Sequence, residues 1–233
     1  MTTARDLLTV TMDMPSSRTV ERGDLSLALA GAELADLLRA GAADVDRGRI
    51  VPGPRSPHDD RLLGEAATAM SRTLPFETVD DWLWRRGRGL PAAYLAALTD
   101  EGRLARQRER RWLVFGSSRM VLLDSADRQR AAHRWAAEEP VLVALATTIG
   151  VAGHRPEPAP PDTSVEARPD LRPHLPPELP SALPPDLAAE LPDPAVEAVL
   201  SAVVHAVAEL SEERRRRANR LKDAHATTLR RGY

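Results

Sequence analysis

A mainly α-helical fold is what this sequence predicts, on three observations. Alanine and leucine dominate while aromatic residues make up only 3%, a composition that favours helices over a β-rich core. Apolar residues recur at helical spacing in several separate segments, with glycine, proline and acidic residues where helices stop and start. At 233 residues the chain is long enough to bury one good core.

Asp6 to Met12 is short and apolar, a strand or a first helix, and a polar turn at Pro15-Ser16-Ser17 follows. Asp24 reads as the N-cap of a largely buried helix carrying Leu25, Leu27, Leu29, Ala32, Leu34, Leu37 and Leu38 and ending near Gly41. Val45 to Val51 reads as a short strand with a basic Arg47-Gly48-Arg49 turn, and Pro52 to Pro57 as loop. Asp59 and Asp60 stand at the positive end of a helix bearing Leu62, Leu63, Ala66, Ala67 and Met70. Glu77 to Trp84 predicts a third helix, ending in Arg85-Arg86-Gly87-Arg88-Gly89, and Pro91 opens a fourth that Gly102 stops.

From Leu104 to Leu123 two potential strands flank Gly116-Ser117-Ser118, which predicts a hairpin. A helix with Ala131, Trp135 and Ala136 follows, then an apolar buried helix from Pro140 to about Gly150. Thirteen of the 20 prolines lie between Arg155 and Pro194, which predicts a semi-extended connector. Beyond it Val199, Leu200, Val203, Val204 and Val207 form an apolar helical stripe, Ser211 to Arg217 carries that helix into solvent, and the tail to Tyr233 frays. No apolar run approaches the roughly 20 residues of a bilayer span, and no signal-peptide core opens the chain, so a cytoplasmic protein is expected.

Chemistry is excluded class by class. Cysteine is absent, which removes disulfides, thiolate metal sites and a cysteine nucleophile. His58, His133, His154, His174, His205 and His225 include no pair at a helical metal-binding spacing. No nucleophile elbow, phosphate loop or dinucleotide fingerprint is present, so neither catalysis nor a cofactor is expected. Asp59-Asp60 and Asp80-Asp81 are adjacent residues that point about 100° apart on a helix and are explained as helix-capping acids.

The net charge of −2 gives no global attraction to nucleic acid or membrane, so any anion-binding surface has to be local. Three arginine-rich features qualify: Arg85, Arg86 and Arg88 at a helix end; Arg214 to Arg217 on a solvated helix face; and Arg106, Arg108, Arg110 and Arg111 around the first hairpin strand. The third is joined to the unbroken apolar run Trp112-Leu113-Val114-Phe115. A strand with one face in water alternates, so four consecutive apolar residues call for a core or for a membrane interface, where flanking arginines meet phosphates. An arginine-rich hairpin after a helix is also how a winged-helix nucleic-acid binder is built, and a second subunit is a third possible recipient of the apolar run.

The order of segments resembles the Golgi phosphoprotein 3 family, whose bacterial members are found in actinomycetes. The likeness runs from Asp6 to about Gly150 over four motifs: the apolar helix Leu25 to Leu38, Asp60-Arg61-Leu62-Leu63-Gly64-Glu65-Ala66, Glu77-Thr78-Val79-Asp80-Asp81-Trp82, and Leu98-Thr99-Asp100-Glu101-Gly102-Arg103-Leu104. The resemblance implies a single helical domain over 1–154 with a protruding β-hairpin near 104–123, followed here by the connector 155–194 and the C-terminal helix and tail 195–233. It also implies binding of phosphatidylinositol 4-phosphate and insertion of the hairpin tip into a membrane.

Trp112, Leu113, Val114 and Phe115 match the inserting tip. The family's headgroup tryptophan falls on Glu21 beside Arg22, one pocket arginine on Ala30, another near Pro91, and Arg88 falls where a pocket arginine is expected. The resulting expectation is a non-enzymatic, peripheral lipid-binding module at the inner face of the membrane. Arg22, Arg85, Arg86, Arg88, Arg108, Arg110, Arg111 and Arg119 would face anionic phospholipid, with homo-oligomerisation through the hairpin a further option.

Overall fold

The computed structural model describes residues 2–13, 20–54, 59–108, 118–151, 182 and 193–231, and for 106–108, 118–120 and 223–231 the backbone alone. Its elements are α1 (Thr3–Asp13), α2 (Arg22–Arg39), β1 (Ala43–Asp46), β2 (Arg49–Pro52), α3 (Arg61–Ala69), α4 (Val79–Arg86), α5 (Leu90–Asp100), β3 (Leu104–Arg108), β4 (Ser118–Leu122), α6 (Ala126–Ala136), α7 (Pro140–Thr148) and α8 (Pro194–Arg231). The fold is mainly α, as the composition predicts. Apart from Ala182, Asp193 and Pro194, the proline-rich connector lies outside the described residues.

Helix α2 is the axis of the molecule. Every residue from Leu27 to Ala35 is buried, and α1, α3, α4, α5, α7 and α8 all pack against it. A helix apolar on all sides can only be satisfied in this way. Its alanines and Gly31 let neighbours approach: a Cβ on Gly31 would run into the Val203 side chain of α8. Contacts from Gly23 to Leu210 and from Gly31 to Val203 run in opposite directions along the two chains, so α8 lies antiparallel to α2. The stripe predicted at Val199, Leu200, Val203, Val204 and Val207 is buried against this core.

Local signals explain the starts and stops. Asp60 caps α3 by accepting from Leu63 N at 3.0 Å, and Thr78 caps α4 by accepting from Asp81 N at 3.1 Å. Glu139 caps α7 through Leu142 N at 2.8 Å, and Pro91 occupies the first turn of α5. Gly102 ends α5, where Arg103 N reaches back to Leu98 O at 2.8 Å.

Asp6 to Met12, left open between strand and helix, is helical. Several expectations are corrected. Asp24 does not cap α2. Glu21 holds the cap position, while Asp24 lies in the first turn and gives its carboxylate to Arg214 of α8 at 2.7 Å. Val45 to Val51 is two strands, not one: Ala43↔Pro52 to Asp46↔Arg49 pair antiparallel. The reversal is made by Arg47 and Gly48 at φ of 48° and 74°, the positive pair that a tight two-residue hairpin turn requires. In the second hairpin Ser118 is a strand residue paired with Arg108, not part of a turn, while Gly116 and Ser117 lie outside the described residues. The tail remains helical to Arg231.

Helix α8 also departs from the expectation about membrane spans. Pro194–Lys222 contains a window of mean hydropathy 1.3, long and apolar enough to cross a bilayer by length and composition. Its Val196, Val199, Leu200, Val203 and Val207 face is instead buried in the core.

Gly31→Ala tests the α2–α8 contact. An alanine favours an ordinary helix interior by about 1 kcal/mol over glycine. Here the added methyl meets Val203, and overpacking costs about 1–3 kcal/mol. Urea unfolding followed by circular dichroism should show Gly31→Ala less stable than the native chain; a gain in stability would contradict the close approach.

Candidate functional site

The hairpin β3–β4 is anchored firmly at its base. Leu104 and Leu122 are paired and buried, Leu123 N donates to Arg103 O at 2.9 Å, and Arg103 pairs with Asp127 of α6. The register runs from Leu104↔Leu122 to Arg108↔Ser118. Nine residues, 109–117, connect the strands, and Leu113 is their middle member by count. Arg110, Arg111 and the apolar run Trp112, Leu113, Val114 and Phe115 lie outside the described residues, as do the side chains of Arg108 and Arg119.

The other predicted arginines separate into two kinds. Arg85 is committed to the protein itself: its Nε and Nη2 each lie 2.6 Å from the Glu77 carboxylate, and its guanidinium stands 5.2 Å from the centroid of the Trp82 ring. Arg86 turns inward, where Nε and Nη2 donate to Glu33 at 2.7 and 2.9 Å and Nη2 to Leu62 O at 3.1 Å. Consecutive helix residues point about 100° apart, so one arginine covers the surface while its neighbour enters the core.

Glu33 is wholly buried on α2 and also accepts from the Tyr94 hydroxyl at 3.0 Å. Burial, working against the guanidinium and the phenol, leaves its carboxyl above the ordinary value. Burial and the nearby Glu33 push the Tyr94 phenol well up, so it stays a donor.

Arg22 and Arg88 are of the second kind. Both are exposed, and neither side chain has an ion pair among the described residues. Arg22 opens α2 and Arg88 lies in the turn from α4 to α5. The two segments adjoin, because a Cβ on Gly87 would stand 2.9 Å from the carbonyl oxygen of Ser26. Glu21 is exposed beside them. The remaining matched positions face the interior: Ala30 is buried and its carbonyl accepts from Trp82 Nε1 at 3.2 Å, and Pro91 is buried at the start of α5.

An ionic network unmarked by the sequence joins α1 to its neighbours. Thr3 donates from both N and Oγ1 to Asp36 of α2, each at 2.6 Å. Arg134 of α6 pairs with Asp6 and, at 3.1 Å, with Glu139. Glu139 also takes Arg39 at 2.7 Å. On the far side of α1, Arg5 holds Asp60 and, at 2.6 and 2.7 Å, both oxygens of Glu101. Partners up to 131 residues apart explain why no local pattern announced them. Burial raises the carboxyls of Asp6 and Asp36 above their ordinary value. Among the described residues no cluster of three or more His, Cys, Asp or Glu is placed to hold a metal.

The family model for Golgi phosphoprotein 3 (GPP34) matches residues 4–231, nearly the whole chain and well beyond the stretch in which the sequence motifs were recognised. No curated protein matches.

Asp36→Asn tests the desolvation of the network. The unfolded carboxyl titrates near pH 3.9 and the folded one higher, so between the two values the folded chain holds a proton that the unfolded chain has released. This contribution to stability is complete below about pH 4 and is lost as pH rises through the folded value. Urea unfolding from pH 4 to 7 should therefore show the stability of the native chain, relative to Asp36→Asn, falling with pH. A difference that stays level or rises would show that the Thr3 hydrogen bonds outweigh burial.

Proposed function

The chain belongs to the Golgi phosphoprotein 3 family, and on that premise we propose that it is a non-catalytic, peripheral membrane-binding module acting at the cytoplasmic face of an anionic bilayer. Its ligand is phospholipid headgroup phosphate, of the phosphoinositide class or simpler. Arg22 and Arg88 meet the phosphates, aided by Arg108, Arg110, Arg111 and Arg119 of the hairpin. Trp112, Leu113, Val114 and Phe115 enter the interface.

The observation that carries this reading is the hairpin register. Pairing of Arg108 with Ser118 above a buried Leu104–Leu122 base leaves nine residues, 109–117, between the strands, and Trp112 to Phe115 are central among them by sequence count, which supports this reading. Tryptophan and phenylalanine suit the membrane interface, and arginines suit its phosphates. Arg22 and Arg88, exposed and without a carboxylate partner among the described residues, supply the second attraction. Arg85 and Arg86, committed to Glu77 and Glu33, contribute through the fold instead.

Affinity is modest in this scheme. A basic residue near an anionic surface is worth about 1 kcal/mol, and such attraction weakens with salt. Glu21 where the family carries a tryptophan, with Ala30 and Pro91 in the interior, favours general attraction to phosphate over selection of one headgroup.

Sedimentation with phosphatidylcholine vesicles containing phosphatidylglycerol or phosphatidylinositol 4-phosphate is the test. The native chain should be retained on the anionic vesicles and released by salt, and Arg22→Ala and Arg88→Ala should each weaken retention about fivefold, the equivalent of roughly 1 kcal/mol. Trp112→Ser with Phe115→Ser should abolish it. Equal retention of that double variant would refute insertion, and binding to phosphatidylcholine alone would refute the electrostatic part.

A further inference from the structure

Helix α8 outruns the helix it packs on. Gly23, in the first turn of α2, faces Leu210 and the Arg214 guanidinium, and Arg214 holds Asp24 at 2.7 Å. Beyond that contact α8 continues to Arg231, and every residue from 215 to 222 is exposed. This stretch, Arg215 to Lys222, carries five basic residues and no acid. The chain as a whole has a net charge of −2, so the remainder is net acidic and positive charge is concentrated on one arm.

Two ordinary causes of basic helix residues do not account for it. The helix dipole favours cations only in the last turn, and Lys222 lies more than two turns before Arg231. Pairing along the helix sets two acids against four arginines: Glu212 takes Arg215 and Arg216, and Glu213 takes Arg217 and Arg220. Those arginines remain between 65% and 72% exposed. Exposed pairs of this type are weak, so an outside phosphate can take the place of a glutamate.

We propose that the arm of α8 from Arg215 to Lys222 is a polybasic contact for the phosphates of an anionic bilayer. The arm leaves the core at the end of α2 that Arg22 opens, and Arg88 adjoins that end through Gly87 and Ser26. It therefore widens the surface assigned above to Arg22 and Arg88, and rests on that reading. About four to eight basic residues on a helix is the composition that an anionic leaflet attracts. Arg216, Arg217 and Arg220 fall within about 100° of one another around the helix, so one side of the arm offers all three. The eight positions span about 12 Å, close to the Debye length of about 10 Å at 0.1 M salt, so their fields overlap.

Sedimentation of the full chain with phosphatidylcholine vesicles containing phosphatidylglycerol, at low salt and at about 0.15 M, is the experiment. Arg216→Gln, Arg217→Gln and Arg220→Gln together should weaken retention about tenfold at low salt and flatten its salt dependence. Arg216→Lys, Arg217→Lys and Arg220→Lys together should keep native retention, because a bilayer surface responds to charge and not to guanidinium geometry. All three positions are exposed, and circular dichroism should report native helix content. Arg47→Gln, Arg49→Gln and Arg72→Gln together remove equal charge at and beside the β1–β2 hairpin and should change retention less than about twofold. Native retention by the glutamine arm variant overturns the arm and leaves Arg22 and Arg88 untouched, whereas no retention of the native chain overturns both. Equal losses from the arm and the β1–β2 variants also overturn it, as does duplex DNA binding that the arm variant loses while its vesicle retention stays.

Discussion

The whole architecture depends on burying α2 on every side. Such a helix needs small residues where neighbours cross it, and Gly31 and the alanines around it meet that need against α8. It also carries one charge into the interior, Glu33, which only a partner of matching geometry can offset. Arg86 supplies a two-pronged contact and Tyr94 a hydroxyl. A buried pair of this kind is weak evidence for stability in itself, since desolvation opposes the Coulombic gain, yet removing either member would strand a charge. It is better understood as fixing register: α4 and α5 can dock on α2 in only one way if Arg86 and Tyr94 are both to reach Glu33.

The same need governs the other arginines. Most of those described pair with a carboxylate, and several reach across to other elements, Arg5 to Asp60 and Glu101, Arg134 to Asp6 and Glu139, Arg214 to Asp24. In a chain almost without lysine, the planar guanidinium serves as the general connector between helices. Basic residues are therefore a poor guide to an anion-binding surface here. Among the described residues Arg22 and Arg88 are exposed without a carboxylate partner, a condition that Arg47, Arg49 and Arg72 also meet, so it is their nearness to each other and not the local density of arginine that marks the pair.

What could be read from the sequence follows from the range of the forces involved. Asp60, Pro91, Gly102 and the apolar stripe of α8 act within a few residues of themselves, and each was legible. Asp24 was misplaced because acids are favoured both at a helix cap and in the first turn, and its true partner lies 190 residues away. The first hairpin was missed because Arg47 adopts a positive φ that arginine rarely takes. Arg85 and Arg86 look alike in the sequence and differ only once the helix turns one of them inward. The ionic network around α1 was invisible, since its acids and arginines come from helices that only the tertiary fold brings together.

The hairpin shows why local order and long-range anchoring have to be considered together. A two-stranded ribbon is marginal in water by itself, so one that carries four consecutive apolar residues needs support. That support is at the base, where Leu104 and Leu122 are drawn into the core and Arg103 is fixed to Asp127. Asp127 meanwhile also pairs with Arg130 on its own helix. One carboxylate thus ties the base of the hairpin to α6, so the ribbon is held to the helical core by charge as well as by the buried Leu104 and Leu122.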